Sequence, residues 1–116
     1  MGCVFESQDV TIWKPSQNVG RLFLCCLREI ESILCHESGL VEYMSDTIEV
    51  DQKKLMAFIL DAAIQLNLSN RSLSCLVGSV FSHLVAMLIL ADSSVNVEFP
   101  AEWKSGADQL LREWPK

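Results

Sequence analysis

The sequence predicts a helix-dominated α+β fold: three main helices, a short C-terminal helix, and a small antiparallel sheet that includes an N-terminal hairpin. Three observations predict it. Apolar residues recur at three- and four-residue intervals in three separate stretches, the signature of helices with a buried face. Two short β-rich runs near the start are separated by turn residues. Half of the 116 residues are apolar (50%), which excludes disorder and supplies one core, so residues 1–116 are read as a single domain.

The hairpin is assigned to Val4-Phe5-Glu6 and Val10-Thr11-Ile12-Trp13, with Ser7-Gln8-Asp9 as its turn. Lys14-Pro15 ends it, because proline lacks an amide donor and restricts the residue before it. Ser16 is placed to cap a helix whose stripe is Val19, Leu22, Phe23, Cys26, Ile30, Ile33 and Leu34, running to about Cys35 and stopping near Ser38-Gly39 by glycine chemistry. Gln17, Arg21, Leu24, Arg28 and Glu31 fall on its reverse face, where Arg28 can pair with Glu31 one turn on.

Thr47-Ile48-Glu49-Val50 reads as a strand that joins the hairpin, and Asp51 caps a second helix with Leu55, Phe58, Ile59, Ala62, Ala63 and Leu66 inward. Asn70 or Ser72 caps a third. Residues 73–91 contain no Asp, Glu, Lys or Arg and would make about 28 Å of helix, close to the thickness of a bilayer. Ser74, Gly78, Ser79, Ser82 and His83 dilute that apolar character, and two amphipathic helices need covering. A central buried helix is therefore expected rather than a membrane span. Residues 95–99 read as an edge strand, Pro100 as a helix start, and Trp103, Ala107, Leu110, Leu111 and Trp114 as the face that docks the last helix.

Nine Lys and Arg against fifteen Asp and Glu leave a net charge of −6, the wrong sign for phosphate neutralisation, so no nucleic-acid partner is expected. The five cysteines are odd in number and form no CxxC pair, which predicts free thiols, no metal and a reducing, cytoplasmic setting. Met1-Gly2-Cys3 resembles the start of a dual-acylation signal, but Glu6 stands where that signal needs Ser or Thr, and no secretory h-region follows. Phosphate loops, nucleophile elbows and paired metal-binding histidines are missing from the sequence, so neither a catalytic residue nor a cofactor is expected and the chain is read as a non-enzyme.

One feature stands above this background. Glu29, Glu31, Glu37, Glu42, Asp46, Glu49 and Asp51 follow one another with no intervening Lys or Arg, interleaved with Leu40, Val41, Tyr43 and Met44. Such a segment suits a negative surface that steers a basic protein partner, with apolar anchors inside a charged rim. The candidate partner-binding residues are Glu37, Glu42, Tyr43, Asp46, Glu49 and Asp51, with Trp13 as a flanking aromatic anchor. A solvated loop with helix caps is the plainer alternative.

The run from Trp13-Lys14-Pro15-Ser16-Gln17-Asn18-Val19-Gly20-Arg21-Leu22-Phe23, through Ser38-Gly39-Leu40, to Val50-Asp51 and Phe58 resembles a family of short bacterial proteins of unknown function. That resemblance spans the first two thirds of the chain and implies no activity. In size and acidity the chain is also similar to the immunity proteins of bacterial toxin systems. This likeness implies a cytoplasmic toxin inhibitor whose partner is a basic toxin domain, the alternative being an adaptor or oligomeric structural protein.

Overall fold

The computed structural model describes residues 3–8, 10–44, 46–92 and 97–114. In chain order the elements are β1 (Val4–Ser7), β2 (Val10–Trp13), α1 (Gln17–Leu34), β3 (Leu40–Met44), β4 (Thr47–Val50), α2 (Gln52–Gln65), α3 (Arg71–Ala91) and α4 (Ala101–Glu113). The helix-dominated α+β architecture with its N-terminal hairpin is as the sequence indicates. The β1–β2 turn places Gln8 at φ 51°.

The sheet is larger than expected, and mixed. Its order is β2-β1-β4-β3, with antiparallel hairpins outside and a parallel β1–β4 pair in the middle. The reason is the chain path. Helix α1 returns the chain after β2, so β3 starts in the same direction as β2, and β4, turning back from β3, runs parallel to β1 and pairs with it. Phe5 and Ile48 are partners on the buried face, and Glu6 and Glu49 on the outer one. The expected strand over residues 95–99 does not form at Val97–Phe99; Val95 and Asn96 lie outside the described residues.

Helix α1 carries the main correction. Its buried face is Gly20, Phe23, Leu24, Leu27, Ile30 and Leu34, while Val19, Leu22, Cys26 and Ile33 point to solvent. The helix has two apolar rows, and close packing selects between them. A Cβ on Gly20 would stand 2.8 Å from the Cys3 Cβ, so Gly20 alone lets the helix sit down on the chain before β1. Cys3 itself is buried. The helix ends at Leu34, beside the expected end at Cys35, but the stop is made by Cys35 and not by Gly39: Cys35 adopts the left-handed conformation, and its amide reaches the Glu31 and Ser32 carbonyls. Gly39 instead opens β3 at φ 85°, where a Cβ would meet the Lys54 Cβ at 2.7 Å.

Ser16, Asp51 and Asn70 each accept the expected amide, from Val19, Lys54 and Leu73. The core crosses the helical layer as an aromatic ladder. Phe58 of α2 stacks on Phe81 of α3 at 5.8 Å, and Phe81 on Trp103 of α4 at 4.2 Å. Helix α3 is long and apolar enough to cross a membrane, and just over half of its most apolar window (56%) is buried between its neighbours. Gly106 permits the tight α3–α4 crossing, since a Cβ there would lie 2.8 Å from the Ser82 Cβ.

Candidate protein-binding surface

The acidic segment divides into carboxylates that build the fold and carboxylates that face outward. Glu31 belongs to the first group. It accepts from Arg28 Nη1 at 3.0 Å, from the Ser38 amide at 2.8 Å and from Ser38 Oγ at 2.6 Å. Burial works to raise its pKa, but the hydrogen bonds from Ser38 and Arg28 together prevail and hold it below the ordinary 4.5. Arg28 then reaches past Glu31 to donate to the Leu40 carbonyl at 2.8 Å. Asp51 is also committed, as the cap of α2, and its own amide donates to the Gly39 carbonyl at 2.9 Å.

These two clasps fix the register of β3. Gly39 pairs toward Asp51 and Val41 opposes Glu49, so the Leu40 carbonyl points away from β4 to the sheet's edge, where Arg28 meets it. The edge strand is thus tied to α1 at its first residue, and Val41, Glu42 and Tyr43 follow, all exposed, Tyr43 to 68%.

Glu37 and Glu42 come together on one cleft of about 400 Å³ with Val41 and Leu40. Arg28 and Lys54 also line it, so the cleft is an acid-rich mouth with two cations at its wall rather than a uniformly negative surface. Glu29 is exposed on α1, whereas Asp46 and Glu49 are half-buried, Glu49 on the outer face of the inner strand β4.

Trp13 does not join the set. It is 8% exposed, with its ring packed 5.3 Å from Phe23 and 5.0 Å from His83, so the expectation of an aromatic anchor flanking the acidic segment is corrected. Strand β2 bulges against β1, which turns both Ile12 and Trp13 inward where simple alternation would expose one of them. Sequence reasoning found the Arg28–Glu31 pair but missed Ser38, whose role arises only when the α1–β3 loop folds back onto the helix.

His83 donates from Nδ1 to the Ser79 carbonyl at 2.7 Å, and burial lowers its pKa below 6.5 against the opposing effect of that bond. It is neutral at pH 7 with one proton already engaged. His36 lies elsewhere, its Nδ1 2.8 Å from Asp61 Oδ2. Among the described residues, Cys25, Cys26, Cys35 and Cys75 are exposed free thiols and Cys3 is a buried one.

Fold and surface define a helix-dominated α+β domain with an exposed edge strand beside a cleft lined by Glu31, Glu37 and Glu42. A family model described as a family of unknown function, DUF6086, matches residues 1–116, and the chain belongs to that family. The match covers the whole chain, beyond the two thirds over which the sequence resemblance runs. No curated protein and no solved structure matches the chain.

Proposed function

We propose that the protein is a non-catalytic, protein-binding domain that works in the cytoplasm, and specifically an immunity protein that neutralises a basic toxin domain by covering it. The observation that carries this reading is the edge of β3. There Val41 and Glu42 share a cleft with Glu37, and Tyr43 stands exposed next along the strand, while Glu31 and Asp51 are consumed in holding that edge. A rigid strand presenting an aromatic ring and an aliphatic side chain inside a charged rim has the composition of a binding hot spot. Acidic groups around it steer a cationic partner and raise the association rate.

On this reading the partner meets a patch of exposed and half-buried residues around that edge. Glu37, Glu42 and Tyr43 are its centre, Asp46 and Glu49 its flank, and Asp51 supports it from behind. The test is co-expression with the product of the neighbouring open reading frame: if that product arrests growth, the wild-type chain restores it, and a folded Glu37→Lys, Glu42→Lys variant does not. A wild-type chain that neither rescues nor binds that product contradicts the immunity reading and leaves the adaptor reading.

A further inference from the structure

Strand β3 is an edge of the sheet, and its main-chain groups are used unevenly. The Gly39–Asp51 bond and the pairing of Val41 with Glu49 turn Gly39 and Val41 toward β4, so the amides and carbonyls of Leu40 and Glu42 point the other way. Leu40 is closed off: its carbonyl accepts from Arg28 at 2.8 Å, and its amide donates to Ser38 Oγ at 3.4 Å. The amide and carbonyl of Glu42 find no partner among the described residues. A bulge after Glu42 then ends the regular ladder. The edge thus offers one donor and one acceptor, side by side and directed outward, which is the unit that an added strand pairs with.

Charge and alternation say what such a strand carries. Glu42 opposes Ile48, so its side chain lies on the helical side of the sheet, in the cleft with Glu31 and Glu37. That cleft sets three carboxylates, Glu31, Glu37 and Glu42, against two cations, Arg28 and Lys54, and Arg28 is already engaged by Glu31. One further cation neutralises it. Val41, paired with Glu49, lies on the opposite, outer face. A second copy of the chain fits badly, because two β3 edges paired about Glu42 set carboxylate against carboxylate. We infer that β3 receives an extended segment of the partner protein as an added antiparallel strand, with a Lys or Arg opposite Glu42 and an apolar residue on each side of it. In antiparallel pairing one residue takes both of the free Glu42 groups, and its side chain shares the face of Glu42, in the cleft. Its two neighbours then fall on the outer face, alongside Val41. The inference rests on the reading of the β3 edge as a protein-binding surface, and adds the conformation and sequence pattern that the partner presents there.

Amide NMR of the whole isotope-labelled chain, titrated with capped peptides at low millimolar concentration, reads the pairing residue by residue. Acetyl-Thr-Val-Arg-Val-Thr-amide shifts the Glu42 amide and slows its hydrogen exchange. Its isomer acetyl-Thr-Arg-Val-Val-Thr-amide, which has no valine on one side of the arginine, binds more weakly. The parent peptide N-methylated at its arginine lacks the main-chain donor and binds about tenfold more weakly, the factor that one lost hydrogen bond carries. An unshifted Glu42 amide overturns the proposal. So does an N-methylated peptide that binds as tightly as its parent, since the contact is then charge attraction alone. The peptides are independent of the product of the neighbouring open reading frame. A chain that binds the peptide but not that product loses the immunity reading and keeps strand addition. One that binds the product while its Glu42 amide exchanges as fast as in the free chain loses strand addition alone.

Discussion

Trp13 at the end of β2 and Trp114 just past α4 stack face to face, ring centres 5.2 Å apart and planes 12° from parallel. The pair joins the first hairpin to the last helix across almost the entire sequence, and Phe5, Phe23 and His83 complete the cluster around it. Trp13 is therefore a structural residue that anchors the C-terminal segment.

The stacked pair makes a stability prediction. Trp114→Ala removes a half-buried ring and its stacking partner's contact, and should lower unfolding free energy by about 2 kcal/mol, less than a fully buried aromatic would cost. Trp114→Phe should recover a good part of the loss. Urea titration followed by far-UV circular dichroism measures both, and a Trp114→Ala protein as stable as wild type would show that the pair contributes nothing.

His83 fixes the sign of a pH effect. The unfolded imidazole binds a proton near pH 6.5, while the folded one, penalised by burial, binds it at lower pH. Between those two points the unfolded state holds more protons, so stability is fully present above pH 6.5 and declines as pH falls through that window. His83→Phe should remove this contribution, making the variant's stability less dependent on pH there than the wild type's. Denaturant midpoints of the two proteins at several pH values supply the comparison, and equal slopes would contradict the assignment.

The glycines of the helical layer separate propensity from packing. A Cβ at Gly78 meets nothing within 4 Å, whereas one at Gly106 runs into Ser82. Gly78→Ala should stabilise the protein by about 0.5–1 kcal/mol through helix propensity alone. Gly106→Ala carries the same propensity gain but should destabilise by about 1–3 kcal/mol, because α3 and α4 must move apart. Thermal unfolding of both variants decides it, and two shifts of the same sign would disprove the close crossing.

Much of the fold was legible in sequence for local reasons. The caps Ser16, Asp51 and Asn70 and the stripe Leu55-Phe58-Ile59-Ala62 depend on neighbours within a turn or two, so their pattern is visible in the chain. The failures came from longer range. Helix α1 offered two apolar rows, and the close approach of Cys3 to Gly20, invisible in the chain, fits only the row that is buried. Strand β3 was missed because Val41, Glu42 and Tyr43 are exposed in succession, which hides the alternation of an edge strand. In the candidate site, the acidic segment was evident. Its division into Glu31 and Asp51, which build, and Glu37 and Glu42, which face outward, depends on Ser38 and Arg28 folding back on Glu31.

The most direct test of the proposed binding surface is the dissociation constant for the product of the neighbouring open reading frame, measured by titration calorimetry for the wild type and for Glu37→Lys, Glu42→Lys across a range of salt. Both side chains are exposed and line one cleft, so the reversal leaves the fold intact while placing like charge against a basic partner. The account predicts a loss of several kcal/mol at low salt that shrinks as salt screens the charges over about 8 Å at physiological ionic strength. A folded double reversal that binds that product as tightly as wild type at every salt concentration would contradict it.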